Sequence, residues 1–494
     1  MATAPSEPVT FGGQLLRQAQ LDPDRPALTC DGITLTRMQL LDSVRRLAGL
    51  LADRGVGCGS VVTIGLPNSI EMIQTILALW WLGATPQPIS HRLPPGERDA
   101  IIDLADPTVV VGVPSAELTG RLGLSLEGLR IGCQTDGTDP GEPVVSPIWK
   151  ITTSGGSTGR PKLIVPNQDA DWEAMMSYAD LVVLPWDGVV LVTGPMAHNA
   201  PFVVAGLSLL RGNHLVLMSR FEAGATLSLV EKHAVGWLYL VPTMMLRIWR
   251  LPAAERAGRD LSSLQVAYHM AAPCPPWLKQ AWIDWFGPEV ILELYGGTEG
   301  QAMTVITGTE WLKHTGSVGR PVFGEIHARD DEGARLGPGE VGELWMRRGA
   351  DEPSPYRYIG ADPRSAEEGW ESLGDIGYLD EEGYVYVTDR RADMILVGGS
   401  NVYPAEIEAV LDAHPAVRSC AVIGLPHEEL GRVPHAIVEL AEAVTDEDLL
   451  DHVRAHLAPY KVPRSLERVA EPVRDDAGKV RRSALAAARI GVEV

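Results

Sequence analysis

The sequence predicts an α/β protein: a large N-terminal domain of parallel-type sheets with helices, plus a β subdomain, and a small α+β C-terminal domain. Three observations predict it. Short apolar runs of strand character alternate with amphipathic stretches through the first two thirds of the chain. Near 340 the pattern changes to shorter strands with turns between them. Beyond Arg390 a further segment carries its own mixture of helix and strand. A chain of 494 residues exceeds one compact core and suits two or three domains.

The elements follow in order. Val61 to Leu66 reads as a buried strand, and Asn68 as the cap of a helix that runs through Trp80 and Trp81 to a stop at Gly83. Ile148-Trp149-Lys150-Ile151 reads as a buried strand leading into a Gly-rich loop, and the Pro/Gly-rich stretch 132–147 as a loop. Apolar runs at 108–113, 189–193, 214–218, 237–241, 264–268 and 290–294 repeat the strand signal. Amphipathic stretches at 171–183, 224–234 and 276–286 lie between some of them, which argues for parallel strands covered by helices. Ligands of such sheets bind beyond the carboxyl ends of the strands, where the Gly-rich loop after Ile151 and the turn after Leu294 are expected. Residues 342–346 and 383–387 read as the shorter strands. A helix at 404–412, strands at 419–424 and 435–440, and a helix opened by the capping box Thr445-x-x-Asp448 build the last unit. The boundary is placed at 389–393, giving domains 1–389 and 390–494.

Composition narrows the function. The formal net charge of −22 repels nucleic-acid phosphate and anionic lipid, so neither nucleic acid nor a membrane surface is expected as a partner. Any anionic substrate must be met by local cations. Cys30, Cys58, Cys133, Cys274 and Cys420 are scattered singly, so neither a zinc site nor a disulfide framework is expected. The N-terminus lacks the blocks of a signal peptide, and the apolar run from Ile76 to Leu82 is too short to span a bilayer, so a cytoplasmic protein is expected.

The segment Thr152-Thr153-Ser154-Gly155-Gly156-Ser157-Thr158-Gly159-Arg160-Pro161-Lys162 carries the most chemistry. Glycines let backbone N–H groups crowd around an anion, and hydroxyls and Lys162 add donors, so a polyphosphate is its natural guest. The spacing is not that of a P-loop. It also fits Gly-x-Ser-x-Gly with Ser157 as a hydrolase nucleophile, but no ordered Asp and His pair follows, and Pro161-Lys162 interrupts the expected helix. Downstream stand Ala271-Ala272-Pro273, Tyr295-Gly296-Gly297-Thr298-Glu299, Gly374-Asp375, Asp389-Arg390 and Gly478-Lys479.

In this order the motifs resemble those of the adenylate-forming superfamily of acyl-CoA synthetases, luciferases and peptide-synthetase adenylation domains. The loop is similar to that family's Thr-Ser-Gly-Thr-Thr-Gly-x-Pro-Lys, and 295–299 to its Tyr-Gly-x-Thr-Glu. The resemblance implies that Thr153, Ser154, Gly155, Gly156, Ser157, Thr158, Gly159 and Lys162 hold ATP phosphates. It implies that Tyr295 and Gly296 lie against adenine, edged by Ala271, Ala272 and Pro273, and that Thr298 meets the α-phosphate region. Glu299 would hold Mg²⁺, Asp375 the ribose, Arg390 the ribose and phosphate, and Lys479 the transition-state charge. The segment 194–202 resembles the one carrying the family's pocket gate, so His198 is expected to gate the pocket or orient the acid. Asn199, Phe202, Val241, Thr243, His269, Met270 and Gly297 are expected to line the acid pocket.

The implied reaction joins a carboxylic acid, bulky or aromatic and including bile-acid-type acids, to AMP and then passes the acyl group to a diffusible acceptor. Coenzyme A is the expected acceptor, with an amine or a carrier-protein thiol as the alternative. A serine hydrolase using Ser157 and a non-catalytic nucleotide sensor are the rivals from other classes. Three positions depart from the family pattern: Ala392 at the hinge, Asp475-Asp476 after Arg474, and Arg432 after Gly431.

Overall fold

The computed structural model describes residues 9–118, 120–135, 137–155, 161–170, 172–397, 400–475 and 478–490. Valine, leucine and isoleucine runs form the middle of a nine-stranded sheet. Its strands Pro26–Cys30, His214–Leu217, Val189–Val192, Trp237–Leu240, Val266–Met270 and Ile291–Gly296 are parallel, and antiparallel strands close both edges. Strands buried on both faces need continuous apolar sequence, which these runs supply. A smaller four-stranded parallel sheet is ordered around Val61–Ile64 and Val109–Val111.

Helices cover both faces of the large sheet. The side of Trp237, Tyr239 and Tyr268 packs under the helices Trp172–Leu181 and Asn199–Leu210: the Trp237 indole donates to the Val182 carbonyl, 3.0 Å, and a Cβ at Gly194 would meet Tyr239 and Pro201. The other side receives Pro276–Phe286, whose Lys279 reaches Glu293. Trp80, Phe202 and Trp149 meet near the junction of the sheets, with ring centroids 5.9 Å and 6.3 Å apart in turn.

Three local expectations are corrected. Ser69, not Asn68, caps the helix Ile70–Trp81, its side chain accepting from the Met72 N–H. The Asn68 amide instead donates to the carbonyls of Gly194 and Met218 and accepts from the Met196 N–H, so tertiary partners claimed the side chain. The segment 148–151 is not a strand. The strand is Thr152–Gly155, and it pairs antiparallel with Pro161–Pro166, so the Gly-rich segment connects a β-hairpin rather than ending a parallel strand. Trp149 and Lys150 turn into the interior there. The helix Leu126–Gln134 also runs into the stretch read as a loop from 132.

Past the large sheet, antiparallel strands Glu325–Arg329, Gly342–Arg347, Glu371–Leu379 and Val385–Arg390 form the expected β layer, which begins at Glu325 rather than near 340. The last segment pairs the long hairpin Val417–His427 and Gly431–Leu440, adds Ser465–Val469 in parallel, and carries the helices Pro404–Ala413, Asp446–His456 and Arg482–Ile490. Thr445 and Asp448 form the capping box. Ile395, Val402, Ile407, Leu411, Val422 and Val438 belong to an apolar cluster of this segment's own.

Candidate active site

The hairpin Thr152–Gly155 and Pro161–Pro166 places Lys162 opposite Ser154. Gln87 donates to the Thr153 hydroxyl at 3.5 Å. Gly156, Ser157, Thr158 and Gly159 lie outside the described residues, and with them the Ser157 nucleophile of the hydrolase alternative. The Lys162 ammonium sits 3.7 Å from the ring centroid of Tyr358 and 3.9 Å from Glu299 Oε1. Burial lowers its pKa, the Glu299 charge opposes that shift, and Arg390 adds to it.

The strand Ile291–Gly296 delivers Tyr295 and then turns, the Gly300 N–H closing on the Gly297 carbonyl at 3.2 Å with Thr298 in the turn. A Cβ at Gly297 would lie 2.4 Å from the Leu373 side chain and 2.9 Å from Glu299 Oε2, so glycine lets both side chains close over this turn. Glu299 is buried and accepts from the Tyr358 hydroxyl at 2.6 Å. Tyr295 donates to Asp375 Oδ2 at 2.8 Å, while Arg390 Nε reaches Asp375 Oδ1 at 3.2 Å. Burial and the adjacent Asp375 charge hold the Tyr295 phenol far above its usual pKa, so it stays a donor. Asp375 in turn raises the Arg390 pKa. Ala271 sits at the end of Val266–Met270 with φ 73°, a left-handed conformation that costs a non-glycine residue energy, and Ala272 and Pro273 continue the bend.

Lys479 enters from the C-terminal segment. Its N–H donates to Asp475 Oδ1 at 2.8 Å, and the Asp475 N–H returns a bond to the Lys479 carbonyl at 2.9 Å. Arg474 anchors this turn to the C-terminal core through Glu408 Oε2 at 2.7 Å, the Cys420 carbonyl at 3.1 Å and the Gly478 carbonyl at 3.3 Å. Arg474 and Asp475 thus build the turn together, with Asp475 one of the two residues that depart from the family pattern. The Lys479 side chain keeps contact with water, yet the cleft walls around it lower its pKa by desolvation. Repulsion from Arg390 adds to that, and Asp475 and Glu299 oppose it. Ala392 is exposed in the turn after Arg390, and Asp393 there accepts from Arg482 at 2.9 Å.

The residues expected to line the acid pocket divide. His198 is the N-cap of the helix Asn199–Leu210, and Asn68 holds the Gly194 and Met196 backbone just before it. Phe202 is 1% exposed and serves as aromatic core between Trp80 and Trp149. Val241 and Thr243 start the next helix and meet the Lys479 turn: a Cβ at Gly478 would lie 2.3 Å from Thr243 Oγ1 and 3.6 Å from Val241. Met270 shares a strand face with Tyr268, toward the His198 helix. His269 takes the opposite face, 3.9 Å from Glu293 Oε2, which Lys279 holds at 2.6 Å. Burial keeps His269 neutral, and neither ring nitrogen has a hydrogen-bond partner among the described residues.

The profile of AMP-binding enzymes matches residues 15–350, and that of the AMP-binding enzyme C-terminal domain matches 406–479. The chain belongs to the AMP-binding enzyme family. Feruloyl-CoA synthase of Amycolatopsis is 32% identical over 92% of this chain and 94% of that relative. 2-Succinylbenzoate–CoA ligase of Bacillus cereus is 29% identical over 96% and 98%. Among solved structures, the O-succinylbenzoate coenzyme A synthetase of Bacillus subtilis with ATP and magnesium superposes with a TM-score of 0.82 at 26% identity, covering 96% of this chain and 98% of that one. The amide bond synthetase of Marinactinospora thermotolerans superposes at 0.78 with 27% identity, covering 97% and 99%.

Within this AMP-binding enzyme, two site neighbours escaped sequence reasoning. Tyr358 comes from the strand Tyr356–Ile359, which pairs with the hairpin only in three dimensions. Lys150 was legible as a lone charge inside an apolar run, and it proves 4% exposed, bonded to Asn199 Oδ1. Among the described residues no helix is long and apolar enough to cross a membrane.

Proposed function

We propose that this AMP-binding enzyme is an AMP-forming acid–thiol ligase that activates a bulky or aromatic carboxylic acid with ATP and passes the acyl group to coenzyme A. One observation carries the reading. The Lys479 turn packs through Gly478 against Thr243, and Glu299 and Arg390 act on Lys479 electrostatically, while Lys162 lies 3.9 Å from Glu299 and Tyr295, Asp375 and Arg390 form a hydrogen-bonded chain. A site with three cations, Lys162, Arg390 and Lys479, around the buried carboxylates Glu299 and Asp375 suits a magnesium nucleotide more than any neutral ligand.

The residues fit their guests chemically. Glu299 offers Mg²⁺ one hard carboxylate, and the metal ordinarily takes one or two of these with phosphate oxygens. When bound, Mg²⁺ neutralises phosphate charge. Asp375 accepts from ribose hydroxyls while Tyr295 and Arg390 hold it in place, and Tyr295 and Gly296 flank adenine beside Ala271, Ala272 and Pro273. Thr298, Thr153 and the loop through Gly159 meet phosphate.

In the first step an oxygen of the substrate carboxylate bonds to the α-phosphorus and the bond to the β-phosphate bridge breaks, so pyrophosphate leaves with the electron pair. Lys479 and Lys162 contribute by charge stabilisation rather than proton transfer. In the second step the coenzyme A thiol loses its proton to water, its sulfur bonds to the acyl carbon, and the bond from that carbon to the phosphate oxygen breaks, so AMP leaves with the electron pair. Domains 1–389 and 390–494 turning about 389–393 would withdraw Lys479 between the steps. His198, Asn199 and Met270 face the acid.

The amine-accepting alternative draws support from the similarity to an amide bond synthetase. One experiment addresses both. Purified protein is given ATP, Mg²⁺ and a panel that includes ferulic and 2-succinylbenzoic acids, with hydroxylamine trapping the adenylate. The accepted acid is then offered coenzyme A or a small primary amine. A thioester supports the ligase reading; an amide with no thioester at millimolar coenzyme A moves the enzyme to the amide-forming branch.

A further inference from the structure

Lys150 is a buried cation that the nucleotide chemistry leaves unused. It precedes the strand Thr152–Gly155, and its ammonium lies 4.6 Å from the centroid of the Trp149 ring. Its acceptor among the described residues is Asn199 Oδ1, on the first residue of the helix that His198 caps. Glu299 acts on it electrostatically from the nucleotide side. Lys150 therefore stands where the phosphate hairpin, the His198 turn and the Glu299 carboxylate converge, which is where an acid must meet ATP.

The chemistry of the pair is directional. An ammonium only donates, so Asn199 must turn its oxygen toward Lys150. The amide nitrogen, with two N–H donors, is then held on the far side. A donor backed by a buried positive charge is polarised toward an anion. Without Lys150 nothing at this contact distinguishes the two amide rotamers, and one of them presents an oxygen to the incoming acid.

We propose that Lys150, acting through Asn199, is the positioning residue for the substrate carboxylate: it locks the Asn199 amide so that Nδ2 donates to a carboxylate oxygen and aims the other at the α-phosphorus. This rests on the acid-activating reading above. It extends that reading by giving the acid's reacting end a dedicated recognition element.

The test compares Lys150→Met and Asn199→Asp with the wild type in acid-dependent ATP–pyrophosphate exchange at pH 6, where Lys150 keeps its proton, using the best acid of the panel. Lys150→Met keeps the side-chain volume and removes the buried charge, a change that a fold tolerates well. The KM for the acid is expected to rise about tenfold or more, the scale of one charge-assisted hydrogen bond, while the KM for ATP moves less than about twofold. The thermal midpoint should hold or rise. Asn199→Asp keeps the partner of Lys150 but replaces the donor with a carboxylate oxygen, and it should weaken acid use at least as much. Unchanged acid KM in both variants overturns the proposal. Equal losses for acid and ATP with a lowered thermal midpoint also overturn it, by showing Lys150 to be structural. Failure of the wild type to adenylate any acid would show before either substitution is made, and would overturn the activity itself and this proposal with it.

Discussion

Gly478 packs against Thr243 so closely that a Cβ at 478 would stand 2.3 Å from the threonine hydroxyl, and φ at Gly478 is 76°. The contact joins the turn carrying Lys479 to the helix start at Val241, across the two halves of the chain. It makes the position of Lys479 depend on a residue with no side chain. Gly478→Ala should therefore lower adenylation at least about tenfold, since displacing a charge by about an ångström is costly. Release of acyl from a preformed adenylate to coenzyme A should fall less. Equal loss in both half-reactions would show that the contact does not distinguish them.

Lys479→Ala should cost about a hundredfold or more in pyrophosphate formation, the value of one transition-state charge contact, about 3–4 kcal/mol. ATP binding should weaken little, because Lys162 and Arg390 remain in the cleft. Pyrophosphate release near the wild-type rate would remove Lys479 from the chemistry.

Tyr358 is expected to tune Glu299. Its hydroxyl donates at 2.6 Å, and its ring holds the Lys162 ammonium at 3.7 Å. Tyr358→Phe should raise the Mg²⁺ concentration for half-maximal adenylation about tenfold, the usual loss for removing a group that orients a metal ligand. Glu299→Gln should raise it further. A magnesium titration that neither variant shifts would make Glu299 a structural acid.

Lys150 should leave a signature in stability against pH. Burial lowers its pKa from 10.5 to about 7. Below that value both folded and unfolded chains carry the proton, and the fold bears the full cost of a buried charge. Above it the folded protein releases the proton while the unfolded chain keeps it until near 10.5, so this group's contribution to stability rises with pH across that window. The gain should be at most about 5 kcal/mol. Denaturant unfolding should show Lys150→Met most stabilised relative to the wild type at pH 6, with the difference shrinking by pH 9. A difference that stays constant between those pH values would place Lys150 in a solvated setting.

The sequence by itself determined the class of fold, because periodicity and apolar runs are local properties: the 276–286 helix and the strands near 189, 214, 237 and 291 stand where the pattern put them. It also determined the family, because Tyr295 to Glu299, Asp375, Arg390 and Lys479 are residue types at spacings that chemistry constrains. Only the tertiary structure decided how these residues meet. Asn68 had the composition of a cap, yet partners more than a hundred positions away took its amide. The Gly-rich segment looked like a parallel-strand end, and cross-strand pairing with Pro161–Pro166 made it a hairpin connection. His269 and Met270 are neighbours in sequence but face opposite layers, since strand side chains alternate. Lys150 and Tyr358 joined the site through long-range contacts, a hydrogen bond to Asn199 and a strand pairing, and Thr243, expected at the acid pocket, meets Gly478 instead. Such contacts depend on how distant surfaces fill space together, and local periodicity does not encode them.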